Sequence, residues 1–200
     1  MQIQLKDGRK IKVDESRVAY VRKFIDFEKK MKNEAPYDTW GWRSRLSTLK
    51  EEINFIKRNK ADRKSARVAI FNNNIIGVGG ITASHSKFSK HVGYAGYVIA
   101  KEFRGTGLTY FLINDSAKYV AKKGVKTVIA TIVPQNKASI KLFEKCGAKR
   151  IGESKKTLFI PLKNVYYNEI YMQVDSQKLI TKSANKYKQK GVKILKTQPV

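Results

Sequence analysis

The amino-acid sequence predicts a mixed α/β (α+β) fold: a mostly antiparallel central sheet of about seven strands flanked by about four helices. Three observations lead there. Strand pairs joined by tight turns fill the first half, a strand, helix, strand unit follows in the middle, and two strands close the series. At 200 residues, with 42% apolar and 10% aromatic side chains, the chain is long enough to bury a substantial core. Residues 1–175 read as one domain holding these elements, and residues 176–200 as a Lys-rich C-terminal tail.

Alternation in IQLKDGRKIKV, with Asp7-Gly8 between its halves, predicts a hairpin over residues 3–13. Val18, Val21 and Ile25 recur at helical spacing and predict a first helix over about 16–30. An aromatic loop, EAPYDTWGWRSR, follows, and Thr48 with Glu51 forms a capping box for a second helix ending near Lys60. ARVAIF and IIGVGGITAS, split by Asn72-Asn73-Asn74, predict an antiparallel pair, and HVGYAGYVIA another strand.

Leu108, Phe111, Leu112, Tyr119 and Val120 then mark the apolar face of a helix that stops at Gly124. The β-branched run VKTVIATIV predicts a buried strand ended by Pro134. ASIKLFEKCG predicts a short helix closed by Gly147, and AKRIGES and VYYNEIYMQV the last two strands.

Charge is the outlier of the composition. Forty-two Lys plus Arg against sixteen Asp plus Glu give a formal net charge of +26, a field that draws anions and disfavours cationic metabolites. Seven lysines and no carboxylate fall after Asp175. A single cysteine, Cys146, excludes an internal disulfide framework. With no signal-peptide pattern at MQIQLKDGRK and no apolar run of membrane-spanning length, the expectation is a soluble cytoplasmic protein without membrane partners. His85 and His91 flank an exposed SKFSK segment with no acid or cysteine to complete a metal set, so they read as loop histidines.

The run KEFRGTGLTYF sits where the strand YVIA gives way to a helix. Amides at a helix start are unpaired, and with the helix dipole they form an anion site that glycines let a phosphate approach. Gly105 and Gly107 can equally serve only to permit a sharp turn, and spacing does not separate the two readings. Tyr110 at the third glycine position argues against a dinucleotide fingerprint, and no Gly-Lys-Ser/Thr follows to make a Walker loop.

Arg104-Gly105-Thr106-Gly107-Leu108-Thr109 after YVIA resembles the Arg/Gln-x-x-Gly-x-Gly/Ala signature of the GNAT superfamily of acetyl-CoA-dependent N-acetyltransferases. VPQNKASIKLFEKCGAKRIG resembles the same family's strand, Asn, helix and Gly-Phe stretch, and the likeness covers roughly residues 2–175. It implies a GNAT-like fold. It also implies that backbone groups of Tyr97, Val98 and Ile99 pair with the pantetheine arm, and that amides from Gly105 through Tyr110 (Gly105, Thr106, Gly107, Leu108, Thr109, Tyr110) after Arg104 hold the pyrophosphate. Asn136 then faces the pantetheine or thioester. Lys137, Lys141 and Arg150 either help neutralise coenzyme A or form a solvated face. Thr109 departs from the signature, a β-branched residue in the Gly/Ala position.

The family's usual tyrosine acid falls at Phe143, and its usual carboxylate places fall at Tyr94 and Thr131. The proton route therefore runs through water or substitutes, for which Tyr94, Ser139 and Cys146 are the candidates. Glu169 either faces the substrate or is a paired strand carboxylate. The resemblance places the acceptor between EAPYDTWGWRSR and ESKKTLFIPLKN, with Tyr37, Trp40 and Trp42 lining it or pinning the loop to the core, and with Glu34 and Asp38 able to form an acidic mouth. The expected function is acetyl transfer from acetyl-CoA to a primary amine of a small metabolite, amino acid or protein N-terminus. The alternative is a weakly active or non-catalytic scaffold binding nucleic acid or the ribosome through its basic tail. A homodimer through the sheet edge is common in the family.

Overall fold

Asn72 and Asn73 adopt positive φ (44° and 64°), the left-handed geometry of a tight hairpin turn, and join β3 (Lys64–Phe71) to β4 (Asn74–Ala83). The Asp7-Gly8 turn likewise joins β1 (Gln2–Gln4) to β2 (Lys10–Glu15). This computed structural model describes residues 1–37, 47–58, 64–160 and 164–195. The other strands are β5 (Val92–Ile99), β6 (Thr127–Ile132), β7 (Lys149–Ile160), β8 (Val165–Asp175) and β9 (Lys193–Leu195).

They form one sheet in the order β7-β8-β6-β5-β4-β3-β2-β1-β9, antiparallel throughout except for the parallel pair β5 and β6. The fold class is thus the expected mixed, mostly antiparallel one. Among the described residues there are nine strands rather than about seven, and five α-helices rather than about four.

The predicted first helix begins as a short 3-10 turn at Val18–Tyr20 and continues as α1 (Val21–Glu34), which buries Phe24, Phe27 and Met31. α2 (Leu49–Arg58) starts with the predicted capping box: the Thr48 amide donates to Glu51 Oε2 at 2.8 Å, and the Glu51 amide donates to Thr48 Oγ1 at 3.3 Å. α3 (Leu108–Lys122) and α4 (Lys137–Lys145) end before Gly124 and Gly147, both at positive φ.

The elements not foreseen lie in the stretch read as a tail. Asp175 caps α5 (Ser176–Gln189) by accepting the amides of Gln177 and Lys178 at 2.9 and 3.0 Å. Leu179, Ser183 and Tyr187 form its buried stripe. Asn114 Nδ2 of α3 donates to Ile180 O at 2.7 Å and Ser183 Oγ at 3.2 Å, and Tyr187 meets Phe111 edge to face. β9 then pairs with β1, Gln2 opposite Leu195.

One cluster joins Ile113, Ala117 and Val120 of α3, Phe143 of α4 and Leu179 of α5 to the even-numbered side chains of β6 and β8, among them Val128, Ala130, Ile170 and Met172. Alternation sends Ile129, Thr131 and Tyr171 to the opposite face, where Thr131 is exposed.

Candidate active site

β5 and β6 pair only from Val92↔Thr127 to Tyr94↔Ile129, although β5 runs on to Ile99 and β6 to Ile132. Beyond Tyr94 the strands part, and β6 leaves the sheet at Val133-Pro134, since proline cannot continue the ladder. The gap opens into a cleft of ≈ 360 Å³. Tyr97, Val98 and Ile99 form one wall and Arg104, Gly105 and Thr109 the end. Asn136 and Ser139 of α4 face them, and Glu34 to Tyr37 close the rim.

The Ala100 amide donates to Ile76 O at 2.9 Å, and the Ser84 amide to Val92 O at 2.8 Å, so the even-numbered residues of β5 direct their backbone groups to β4. The odd ones, Tyr97 and Ile99, direct theirs into the cleft. Val98, expected to share that role, has its backbone turned to β4. Ile99 O in addition accepts from Arg104 Nε at 3.0 Å, while Arg104 NH2 donates to Glu34 O at 2.7 Å. The guanidinium therefore ties the ends of β5 and α1 together and fixes the cleft's width.

Within the turn, Thr106 Oγ1 donates to Phe103 O at 2.7 Å and accepts a long 3.4 Å contact from the Leu108 amide. Among the described residues no protein carbonyl takes the amides of Gly105, Gly107, Thr109 or Tyr110. These donors crown the N-terminus of α3, with Gly107 as its N-cap. Gly105 (φ +77°) borders the cleft, and no atom lies within 4 Å of the position a Cβ would take there. Gly107 (φ +93°) faces the other way: a Cβ there would stand 2.6 Å from Lys190 Cβ and 3.0 Å from Val192 Cγ2. Its bareness thus also makes room for the C-terminal segment. Leu108 is wholly buried, so only its backbone is available to a ligand.

The α4 N-cap Asn136 accepts the Ser139 amide on Oδ1 at 3.2 Å, leaving its Nδ2 donors toward the cleft it lines. Tyr94 is 51% exposed on the open sheet face, where register places it with Thr131 and Tyr171. The Tyr97 hydroxyl is buried near Ser116, and burial raises its pKa far above that of an ordinary phenol. It is the backbone of Tyr97 that faces the cleft.

Cys146 does not join the site. It is wholly buried at the end of α4, and burial pushes its pKa up to about 12 from the ordinary 9.0, with Lys186 opposing. The folded chain keeps a proton that the unfolded thiol loses near pH 9.0, so this contribution to stability is complete below pH 9.0 and vanishes as pH rises through about 12. At pH 9.0, where an ordinary thiol is half ionised, iodoacetamide is expected to leave native Cys146 unmodified and to label it once urea unfolds the chain, as read by mass spectrometry.

Phe143 also lies in the packed core, 5% exposed and not among the cleft-lining residues. Phe143→Tyr is expected to leave the pH profile of turnover unchanged and to lower stability by about 1–3 kcal/mol, the penalty of a buried hydroxyl without a partner, as measured by urea titration.

On the acceptor side Tyr37 lines the rim and is 41% exposed. Trp40, Trp42 and Asp38 lie outside the described residues. The Glu34 carboxylate accepts the Lys101 amide at 2.6 Å and lies 3.9 Å from Lys30, so it is already engaged. Glu169 accepts from Thr157 Oγ1 at 2.9 Å, the paired strand carboxylate of the alternative reading, yet it shares the open face with Thr131 and Tyr171. Lys137 and Lys141 are exposed on α4, and Arg150 is ion-paired with Glu153. Tyr171 and Ser154, linked at 3.2 Å on the same face, were not singled out in the sequence. The period-two pattern of VYYNEIYMQV was the available signal.

A family model described as "Acetyltransferase (GNAT) family" matches residues 27–148, more than half of the chain. No curated protein sequence matches. Among solved structures, an acetyltransferase of the GNAT family from Streptococcus pneumoniae superposes with a TM-score of 0.72 at 20% identity, over 82% of this chain and 98% of that one. The ribosomal-protein-S5-alanine acetyltransferase from Vibrio fischeri gives 0.70 at 19%, over 83% and 93%. RimJ from Mycobacterium smegmatis, in complex with CoA-disulfide, gives 0.73 at 14%, over 96% and 93%. At these identities the likeness establishes the fold.

Proposed function

Because this chain belongs to the acetyltransferase (GNAT) family, with acetyl-CoA as its cosubstrate, we propose that it acetylates a primary amine by direct attack of the amine nitrogen on the thioester carbon. The observation that carries this reading is the parting of β5 and β6 beside a helix start where, among the described residues, no carbonyl takes the amides of Gly105, Gly107, Thr109 and Tyr110. An open strand edge suits the amides of a pantetheine arm, and the outward amides of Gly105, Gly107, Thr109 and Tyr110 suit a pyrophosphate. Acetyl-CoA supplies an activated acyl group. The protein's part is to hold and orient it: the edge at Tyr97 and Ile99 fixes the arm, the turn fixes the phosphates, and Arg104 sets the width between them.

A new C–N bond forms as the C–S bond breaks, so one proton must leave the amine and one must reach the sulfur. Neither Cys146 nor the Tyr97 hydroxyl suits that work, both being buried with raised pKa values. Solvent reaching the open sheet face beside Tyr94 carries the proton away, and positioning supplies most of the rate. The acceptor is a small metabolite, an amino acid or a protein N-terminus. The Vibrio fischeri neighbour, named for a ribosomal-protein alanine, lends support to the last of these.

Thermal denaturation with acetyl-CoA tests the reading. At a hundred times Kd the linkage stabilisation is about 2.7 kcal/mol, a rise of roughly 5–10 °C for a chain of this size. No rise at millimolar acetyl-CoA overturns the proposal, and a panel of amines scored for coenzyme A release then sorts the acceptor classes.

A further inference from the structure

We propose that the loop from Ser84 to His91, with the end of α3 and the start of β6, is a binding surface for single-stranded nucleic acid, separate from the acetyl-transfer cleft and independent of it. Phe88 carries the argument. Its ring is 95% exposed, and it projects from a loop that holds itself in shape. Ser84 Oγ and Ser89 Oγ share a hydrogen bond of 2.7 Å, and the amides of Ser86 and Phe88 donate to Ser84 Oγ and Ser86 Oγ, both at 3.3 Å. The Val92 amide closes the loop on Ser89 O at 2.8 Å. A loop braced by three serines, with an aromatic ring at its tip in water, presents that ring.

Lys87 and Lys90 flank Phe88 in sequence, and a depression that starts two residues on is lined, among the described residues, by Lys90, His91, Lys123, Gly124 and Lys126. Backbone bonds hold these segments together: the amides of Lys126 and Thr127 both donate to His91 O, at 2.8 and 3.0 Å. The C-terminal dipole of α3 accounts for Lys122 and Lys123, but not for Lys87, Lys90 or Lys126, which come from other segments. A concave cationic track beside an exposed ring matches the chemistry of a phosphate backbone with an unstacked base laid on an aromatic face. A bilayer would need several apolar side chains to enter it, and this loop offers one.

The surface adjoins the start of β5, whereas the cleft is lined from Tyr97 onward, five residues and about 17 Å along that strand from Val92. Both can therefore be occupied at once.

The test is fluorescence anisotropy of a fluorescein-labelled oligouridylate, with wild type, Phe88→Ala, Lys126→Glu and, on the far side of the sheet, Lys10→Glu. All three positions are exposed, so each variant keeps the wild-type melting transition. Binding should fall with salt, with a log-log slope of about −2 if three phosphates are neutralised. Phe88→Ala should weaken it roughly tenfold while leaving affinity for duplex RNA within about twofold, because only an unstacked base can use the ring. Lys126→Glu should weaken both by roughly fivefold or more, and Lys10→Glu neither. Equal effects of Lys126→Glu and Lys10→Glu, or oligouridylate affinity untouched by Phe88→Ala, overturn the proposal. So does sedimentation with phosphatidylserine vesicles that requires Phe88 when oligouridylate binding does not, an outcome that would assign the patch to lipid.

Discussion

Replacing Gly107 with valine is expected to lower the melting temperature by about 5–15 °C and to abolish the rise produced by acetyl-CoA. Two effects add. At φ +93° an L side chain strains the backbone by about 1–2 kcal/mol, and a Cβ 2.6 Å from Lys190 Cβ and 3.0 Å from Val192 Cγ2 overpacks the turn by about 1–3 kcal/mol. For a chain of this size each kcal/mol is about 2–4 °C. The strain relaxes by tilting the first turn of α3, where the unpaired amides are aimed. Cofactor binding is therefore lost with the geometry, not with any removed contact. Gly105→Ala is the control: it meets no neighbour, keeps the strain, and puts a methyl beside the cleft. It should lose more affinity than stability, read by calorimetric titration with acetyl-CoA against urea denaturation.

The sequence carried the local features of this fold well. The capping box at Thr48 and Glu51, the asparagine turn at residues 72–74 and the glycine stops at Gly124 and Gly147 each depend on a few neighbouring residues, and each is where it was expected. The glycine turn ahead of α3 was legible for the same reason. α5 and β9 were missed because seven lysines with no carboxylate made the stretch after Asp175 read as a charge run. Yet Leu179, Ser183 and Tyr187 keep a four-residue period, Asp175 is a capping residue and Gly191 a stop. What no local pattern contains is which face a side chain takes once distant strands pair. That Val98 turns its backbone to β4, that Tyr171 shares a face with Tyr94, and that α5 and α4 bury Cys146 all follow from register and packing. Candidate catalytic residues carried over from the family resemblance therefore mixed exposed Tyr94 with buried Cys146.

Truncation after Asp175 is expected to yield an insoluble or unfolded chain, not an acetyltransferase relieved of a basic tail. Leu179 is wholly buried and Tyr187 is 4% exposed, both against α3. Losing either side chain alone costs about 2–5 kcal/mol, and a domain of this size has only about 5–15 kcal/mol in total. The deletion also strips the partners of Asn114 Nδ2, leaving a buried amide unpaired, and opens the edge of β1 by removing β9. Lys190 and Val192, which cover Gly107, go with it. Circular dichroism and sedimentation of the truncated chain read the outcome, and a folded monomer with the wild-type melting temperature would contradict this account. The consequence reaches the question of charge. Loss of nucleic-acid retention in such a truncation reports unfolding, so the contribution of α5 has to be measured by reversing exposed lysines on its outer face, Lys182 and Lys188, which leaves the stripe of Leu179, Ser183 and Tyr187 in place. Retention that survives this reversal but falls with Lys126→Glu locates the anion-binding charge at the Phe88 end of the molecule.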